Sequence, residues 1–349
     1  MNLQKKLQNL GIEQTKKINN EYVRVIAFNV TEALTTAFPV IYNQYNNIIA
    51  QLINCNMYTA KITKQISKVN YIYENNSIYF DQNIDLTTVN EQMVHECIHY
   101  LQNNKNKNGK LTKIGLCNFG QFSVFGLGIN EAIVQYISAK TVGNEIATIE
   151  KYGVRLKTIS PNYYPFLTSL IEQIVYLMGE DILVTGILFD GNKLEDELLN
   201  TFEANTKRII NQFDIIVDIN NKLTTETNME KINIYQEEIV AMYVDTQNKI
   251  FSTYFEKVLP KLTTLQEIDF YMDKAVCYRN VMGISTQERF LFGSFYDIKL
   301  EELESKYEKK KIKIYKKTEN NSLAVVSENK IMKLIRKITQ YFSAQKNNE

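Results

Sequence analysis

An α+β fold is what this sequence of 349 residues predicts: a small mixed sheet and helices in the N-terminal part, then a mainly helical remainder. Three observations carry that prediction. The β-rich runs VNYIY and SIYF flank Asn75-Asn76, which marks a hairpin turn. The stretch VHECIHYLQ, residues 94–102, has its apolar residues at helical spacing. Beyond about Asn205 the pattern becomes long and helical through Leu300. We therefore place a domain division there, with residues 1–204 as one domain and 205–349 as a second.

The elements follow in chain order. VRVIAF has strand composition, and TEALTTAFPV reads as a short helix that stops at Pro39. Ile41 to Cys55 has helical spacing. Residues 69–82 form the hairpin, and Thr88 with Glu91 suits a capping box that opens a helix running to about Asn103. GLCNFGQFSVFGLG is punctuated by glycine and reads as irregular, with a helix starting near Asn130 after it. Residues 164–204 read as two or three helices broken at Gly179 and Gly191. The charge-rich run EELESKYEKKKIKIYKK leads toward a hairpin turning at Asn320-Asn321. A last amphipathic helix puts Ile331, Leu334, Ile335, Ile338 and Phe342 on one stripe.

Composition narrows the function. Lysine and arginine nearly balance aspartate and glutamate, for a formal net charge of +1, so nothing suggests the basic surface that nucleic-acid binding needs. The N-terminus has no apolar core of a signal peptide, and the longest apolar stretch, Ile182 to Phe189, is too short to span a bilayer. The four cysteines, Cys55, Cys97, Cys117 and Cys277, lack paired spacing and read as free thiols. A soluble, cytoplasmic protein is the expectation.

Both histidines of the chain lie in VHECIHYLQ. Residues four apart on a helix lie about 40° apart around its axis, so His95 and His99 project from one face. Val94, Cys97, Ile98 and Leu101 form an apolar stripe that anchors the helix. Two neutral imidazoles at this spacing suit a zinc ion, and Glu96 can reach a water on it. Catalytic zinc needs a third protein ligand, and with no histidine left this must be a downstream carboxylate or cysteine. Glu131, in NEAIVQYIS after a glycine-containing loop, supplies a carboxylate at the start of a helix. Cys97 falls on the buried stripe, and Cys117, between the motifs, reads as a spectator thiol.

HExxH followed by Asn130-Glu131 resembles the gluzincin division of the zincin metallopeptidases. That resemblance implies His95, His99 and Glu131 as zinc ligands, Glu96 as general base, and a peptide or protein substrate. It extends back to the hairpin at 69–82, whose strand Ser77 to Phe80 would be the sheet edge that holds an extended peptide. It reaches forward to about residue 204, where YYPFLTSLIEQIVYLMGED is similar to a helical segment of bacterial members. One position departs from the family. Where many gluzincins carry an aspartate that orients a ligand histidine, this chain has Gln135, which can accept a hydrogen bond but brings no charge. Some gluzincins also use a histidine as oxyanion donor. Here a tyrosine or arginine after the Glu131 helix must serve, from Tyr152, Arg155, Tyr163 and Tyr164, with Tyr164 preferred because Pro165 holds it extended at a helix mouth. Were Glu131 not the ligand, Glu145 or Glu150 would be the next acids. The alternative reading is a zincin-derived protein that binds zinc or a partner without catalysis.

Overall fold

The computed structural model describes residues 3–64, 67–105, 111–119, 124–282 and 298–319, and these form a mixed α+β protein. They divide into two compact units. The first runs to Tyr254, and the second holds Phe255–Val281 and the helix at 298–319. The expected division near residue 205 falls inside the first unit.

The first unit opens with α1 (Leu3–Asn9) and β1 (Ile12–Lys17), followed by α2 (Asn20–Ala37). The strand expected at VRVIAF is thus helix. Its β-branched composition suggested a strand, but the spacing of the buried residues Val23, Ile26, Ala27, Val30 and Leu34 is helical, and the Asn19 side chain caps the Tyr22 N–H at 2.9 Å. After a 3-10 turn at Pro39–Gln44 and α3 (Tyr45–Ile53), the chain enters β2 (Asn56–Ile62), β3 (Val69–Ile72) and β4 (Ser77–Asp81). The hairpin forms as expected, with Ile72 opposite Ser77 and Asn76 in the left-handed region at φ 54°.

The sheet order is β1-β2-β4-β3. The β4 strand is parallel to β2 on one side and antiparallel to β3 on the other, so every residue of β4 is buried. Ser77 to Phe80 is therefore a central strand, and the edge next to the HExxH helix is β3. The expectation failed because the hairpin's alternation marks both arms as strands and cannot show that Asn56–Ile62 covers one of them.

The HExxH helix is α4 (Glu91–Leu101). Its cap is Asn90, which accepts the Met93 N–H at 3.0 Å, rather than Thr88, whose hydroxyl donates to Asp85 at 2.6 Å. Short strands β5 (Asn103–Lys105) and β6 (Leu111–Ile114) follow, and β7 (Cys117–Phe119) and β8 (Val124–Phe125) fall within the segment read as irregular. Next comes α5 (Leu127–Thr141), starting three residues before Asn130. Its residues from Gly128 to Ala139 are buried apart from Glu131, the pattern of a helix enclosed on all sides. It packs on α2, on α4, and on three later helices: α6 (Pro165–Met178), α7 (Glu180–Phe189) and α9 (Thr206–Thr225). Between α5 and α6 lies the hairpin of β9 (Ala147–Lys151) and β10 (Val154–Thr158), and α8 (Gly191–Phe202) precedes α9. The breaks at Gly179 and Gly191 fall where the sequence put them.

The contact between α5 and α9 is built from the helix start. A Cβ at Gly128 would overlap the backbone of Phe213, so only glycine lets the helices approach this closely. Asp214 beside it accepts the N–H groups of Gly126 at 2.9 Å and Gly128 at 2.6 Å, capping α5 from another helix.

The helix α10 (Met229–Val258) leads to the second unit, which contains α11 (Leu265–Met282) up to Val281 and the helix at 298–319. In that unit Phe255, Tyr278 and Tyr307 are buried, and Lys311 pairs with Asp269 at 2.7 Å. The charge-rich run is therefore helical as far as residue 319. The expected turn at Asn320-Asn321 and the terminal amphipathic helix lie outside the described residues. Among the described residues no helix is long and apolar enough to cross a membrane.

Candidate metal centre

His95 and His99 leave the same face of α4, one turn apart, and their rings meet edge to face with centroids 4.7 Å apart. Val94, Cys97 and Ile98 are fully buried behind them. From the enclosed α5, Glu131 brings one carboxylate oxygen to each ring: Oε2 is 3.3 Å from His95 Nε2 and Oε1 is 3.2 Å from His99 Nε2. Among the described residues these are the ones whose ligand atoms converge as a metal-binding group, all within 4.8 Å of one another. Cys97 and Cys117 are buried outside the group, and Glu145 and Glu150 are exposed.

The tautomer of each ring follows from what lies behind it. The Glu91 carboxylate can only accept, so the Gln135 nitrogen that faces it must be the amide NH₂. Gln135 therefore turns its Oε1 toward His95 Nδ1, at 2.9 Å, and this nitrogen must donate. Ser160 completes the support, its Oγ donating to Glu91 and accepting from Gln135, both at 2.9 Å. Behind His99 the logic starts at a backbone N–H. Leu116 N–H donates to Asn130 Oδ1 at 3.1 Å, so the other side-chain atom of Asn130 is its NH₂, which donates to Gln102 Oε1 at 3.3 Å. The same Gln102 oxygen accepts from His99 Nδ1 at 3.2 Å. Gly115, at φ +54°, keeps this corner open, because a Cβ there would overlap Asn130.

Both Nδ1 atoms thus carry the hydrogens, and both Nε2 lone pairs face each other across 3.0 Å beside a carboxylate. Three acceptors converge with no donor among them, an arrangement that suits a bound cation. Two imidazole nitrogens and a carboxylate oxygen are the donor set of a catalytic zinc site with an open position. Protons feel the same pull. Burial alone would lower the His99 pKa, but the Glu131 and Glu96 carboxylates outweigh it and push it up to about 9. Glu131 is held well below the usual carboxylate range, the two imidazoles overcoming its burial.

Glu96 follows His95 on α4, and its Oε2 accepts the Tyr71 N–H of edge strand β3 at 2.8 Å. Burial pushes its pKa up, while His95 and His99 oppose the shift. It shares a cleft of about 800 Å³ with His95, Glu131, Gln135 and the three tyrosines singled out above, Tyr152, Tyr163 and Tyr164. Arg155, the fourth candidate, is exposed on β10 and does not line this cleft. The Tyr163 hydroxyl accepts from Gln92 at 2.9 Å, whereas the Tyr164 phenol has no hydrogen bond to another described residue. Burial, then Glu131 and Glu96, push the Tyr164 pKa up, so the phenol keeps its proton. Its backbone is left-handed, φ 50° and ψ 46°, rather than extended as Pro165 suggested. Proline disfavours the right-handed helical region for its predecessor, and this bulky residue occupies a strained one instead.

Comparison with models of known families, with characterised proteins and with solved structures finds no match to this chain. The site must be interpreted from its own geometry. Sequence reasoning missed Gln102, the role of Asn130 and the service of Glu91 behind Gln135. The spacing of Gln102, three residues after His99, was the one local signal for it.

Proposed function

We propose that the chain is a zinc-dependent peptidase of zincin type, with His95, His99 and Glu131 as ligands and Glu96 as general base. The observation that carries this reading is the convergence of two tautomer-fixed Nε2 atoms and a carboxylate beside a cleft containing a further glutamate. The small mixed sheet with an edge strand against the HExxH helix supports the same reading. Zinc bound there would supply Lewis acidity, acidifying water and polarising a carbonyl. Glu96 takes the proton from the attacking water and hands it to the departing amine. The substrate strand adds beside β3, where Ser67 and Lys68 of the lead-in line the cleft, rather than beside the covered β4.

The direct test is hydrolysis of a mixed peptide library by purified protein. Cleavage should appear with zinc and disappear on chelation. Stoichiometric zinc without cleavage of any peptide would instead leave a binding protein.

Tyr164 supplies the hydrogen bond to the oxyanion. Tyr164→Phe should leave zinc content unchanged and lower kcat by roughly 10²–10³, the usual effect of losing one such donor. A kcat within a few-fold of wild type would move the role to Tyr152 or Tyr163.

Gln135 brings no charge of its own to His95, but it relays that of Glu91. Glu91→Gln leaves the Gln135 amide free to flip, which misplaces the hydrogen acceptor behind His95. Zinc affinity should fall about 10–100-fold, as for other supporting partners of metal ligands, and Ser160→Ala should cost less. Equal affinities for wild type and the Glu91 variant would separate Glu91 from the site.

A further inference from the structure

The charges of the cleft are unevenly committed. Glu131 lies between the two imidazoles, Glu96 holds the Tyr71 N–H, and Glu91 holds Gln135 and Ser160. The other charged residues lining the cleft are Lys68 and Lys151. Lys68 is exposed, but Lys151 is half-buried at the end of β9. Burial pushes the Lys151 ammonium pKa down, and no described carboxylate offsets that loss of water. What the ammonium meets instead is an aromatic face, 5.5 Å from the centre of the Tyr152 ring.

The turn that carries this pair is itself unusual. Lys151 faces Val154 across a two-residue connection, Tyr152-Gly153, with both residues at positive φ, 50° and 74°. Such a turn prefers asparagine or glycine at its first position, and a tyrosine there is strained. The ring is held by stacking on the buried Phe166, centroids 5.9 Å apart at 24°. Tyr152 and Tyr164 are two of the five described non-glycine residues with positive φ, and both line this cleft. Strain concentrated at a ligand-facing wall points to recognition rather than to packing.

We propose that the hairpin tip formed by Lys151 and Tyr152 is a carboxylate subsite of the cleft, selecting peptides that present an acidic side chain or a free C-terminal carboxylate beside the scissile bond. The lysine supplies the charge and the tyrosine holds the lysine stem in place, while the more exposed Lys68 adds a general attraction for anions. The proposal rests on the peptidase reading, and it adds a substrate class to it.

The experiment uses the full chain, zinc-loaded and carrying Glu96→Gln so that peptides bind without turnover. Fluorescence anisotropy compares peptides matched except for glutamate against glutamine, and others matched except for a free against an amidated C-terminus. One acidic member should bind roughly tenfold more tightly than its neutral partner, as expected for a partly desolvated charged hydrogen bond, and the pair that shows this identifies the source of the carboxylate. Adding Lys151→Met should erase that preference without weakening the neutral peptides, and Lys151→Arg should restore most of it. Equal binding of acidic and neutral peptides, or a preference that survives Lys151→Met, overturns the subsite alone. Failure to bind any peptide overturns the peptidase reading along with it.

Discussion

Glu96→Gln should retain a full complement of zinc and lose peptide hydrolysis by at least about 10²–10⁴, the range attributed to a positioned general base. The separation is possible because Glu96 is not among the converging donors. Its carboxylate accepts the Tyr71 N–H at 2.8 Å, while the three converging ligand atoms belong to His95, His99 and Glu131. Glutamine has nearly the same shape, and its amide oxygen can still accept that N–H, so the junction of α4 with β3 survives. What is lost is the capacity to take a proton from water and return it to the leaving nitrogen. Metal analysis of the purified variant, alongside its kcat with a cleaved peptide, reads both quantities. A variant that hydrolyses at near the wild-type rate would remove Glu96 from the mechanism, and one that loses its zinc would place it among the ligands.

How far the sequence revealed this site depends on the distance over which each feature is specified. His95, Glu96 and His99 are legible because one helical turn contains them, and the apolar stripe of Val94, Cys97, Ile98 and Leu101 says which way that turn faces. Glu131 was found by elimination and by the helix it opens, since the chain has no third histidine. Nothing local announces that Asp214, far along the chain, caps the Glu131 helix through Gly126 and Gly128. Capping residues are recognised from sequence when they precede their own helix, and this one comes from another. Glu91 shows the same limit from the opposite side. Its position suggested a capping box, yet its carboxylate turns to Gln135 and Ser160 because Asn90 already caps α4.

The fold shows a parallel contrast. Residues 20–37 carry β-branched side chains, but their burial repeats at helical spacing, so period prevailed over composition. The hairpin at Asn75-Asn76 was legible from its turn chemistry. Its place in the sheet was not, because β2 joins β4 in parallel across a crossover that no single strand records. Those misplacements bear on the proposed peptide binding: the sheet edge beside α4 is β3, and part of that edge is already engaged by Glu96.

The ligands themselves give the last expected result. Wild-type protein should bind about one zinc per chain, and its melting temperature should rise when zinc is added, since an ion that binds only the folded state stabilises it by mass action. His95→Ala and His99→Ala should each abolish that stoichiometry under dialysis. Loss of an imidazole removes a ligand outright, so the expected fall in affinity, on the order of 10³-fold, exceeds the 10–100-fold attached to supporting residues such as Glu91. Glu131→Gln should weaken binding as well, because an amide brings no charge to the two Nε2 lone pairs that face one another at 3.0 Å. With no ion present, the Glu131 and Glu96 carboxylates keep a proton on His99 at neutral pH, and replacing either ring with alanine removes a donor that zinc would engage. Zinc should therefore raise the melting temperature of the wild type far more than that of either histidine variant, whichever apo form is the more stable. Unchanged zinc stoichiometry in both histidine variants would exclude the converging group as the metal site. Unchanged affinity in Glu131→Gln alone would leave the histidines in place and require another donor, and among the described residues no other acid or cysteine joins their group.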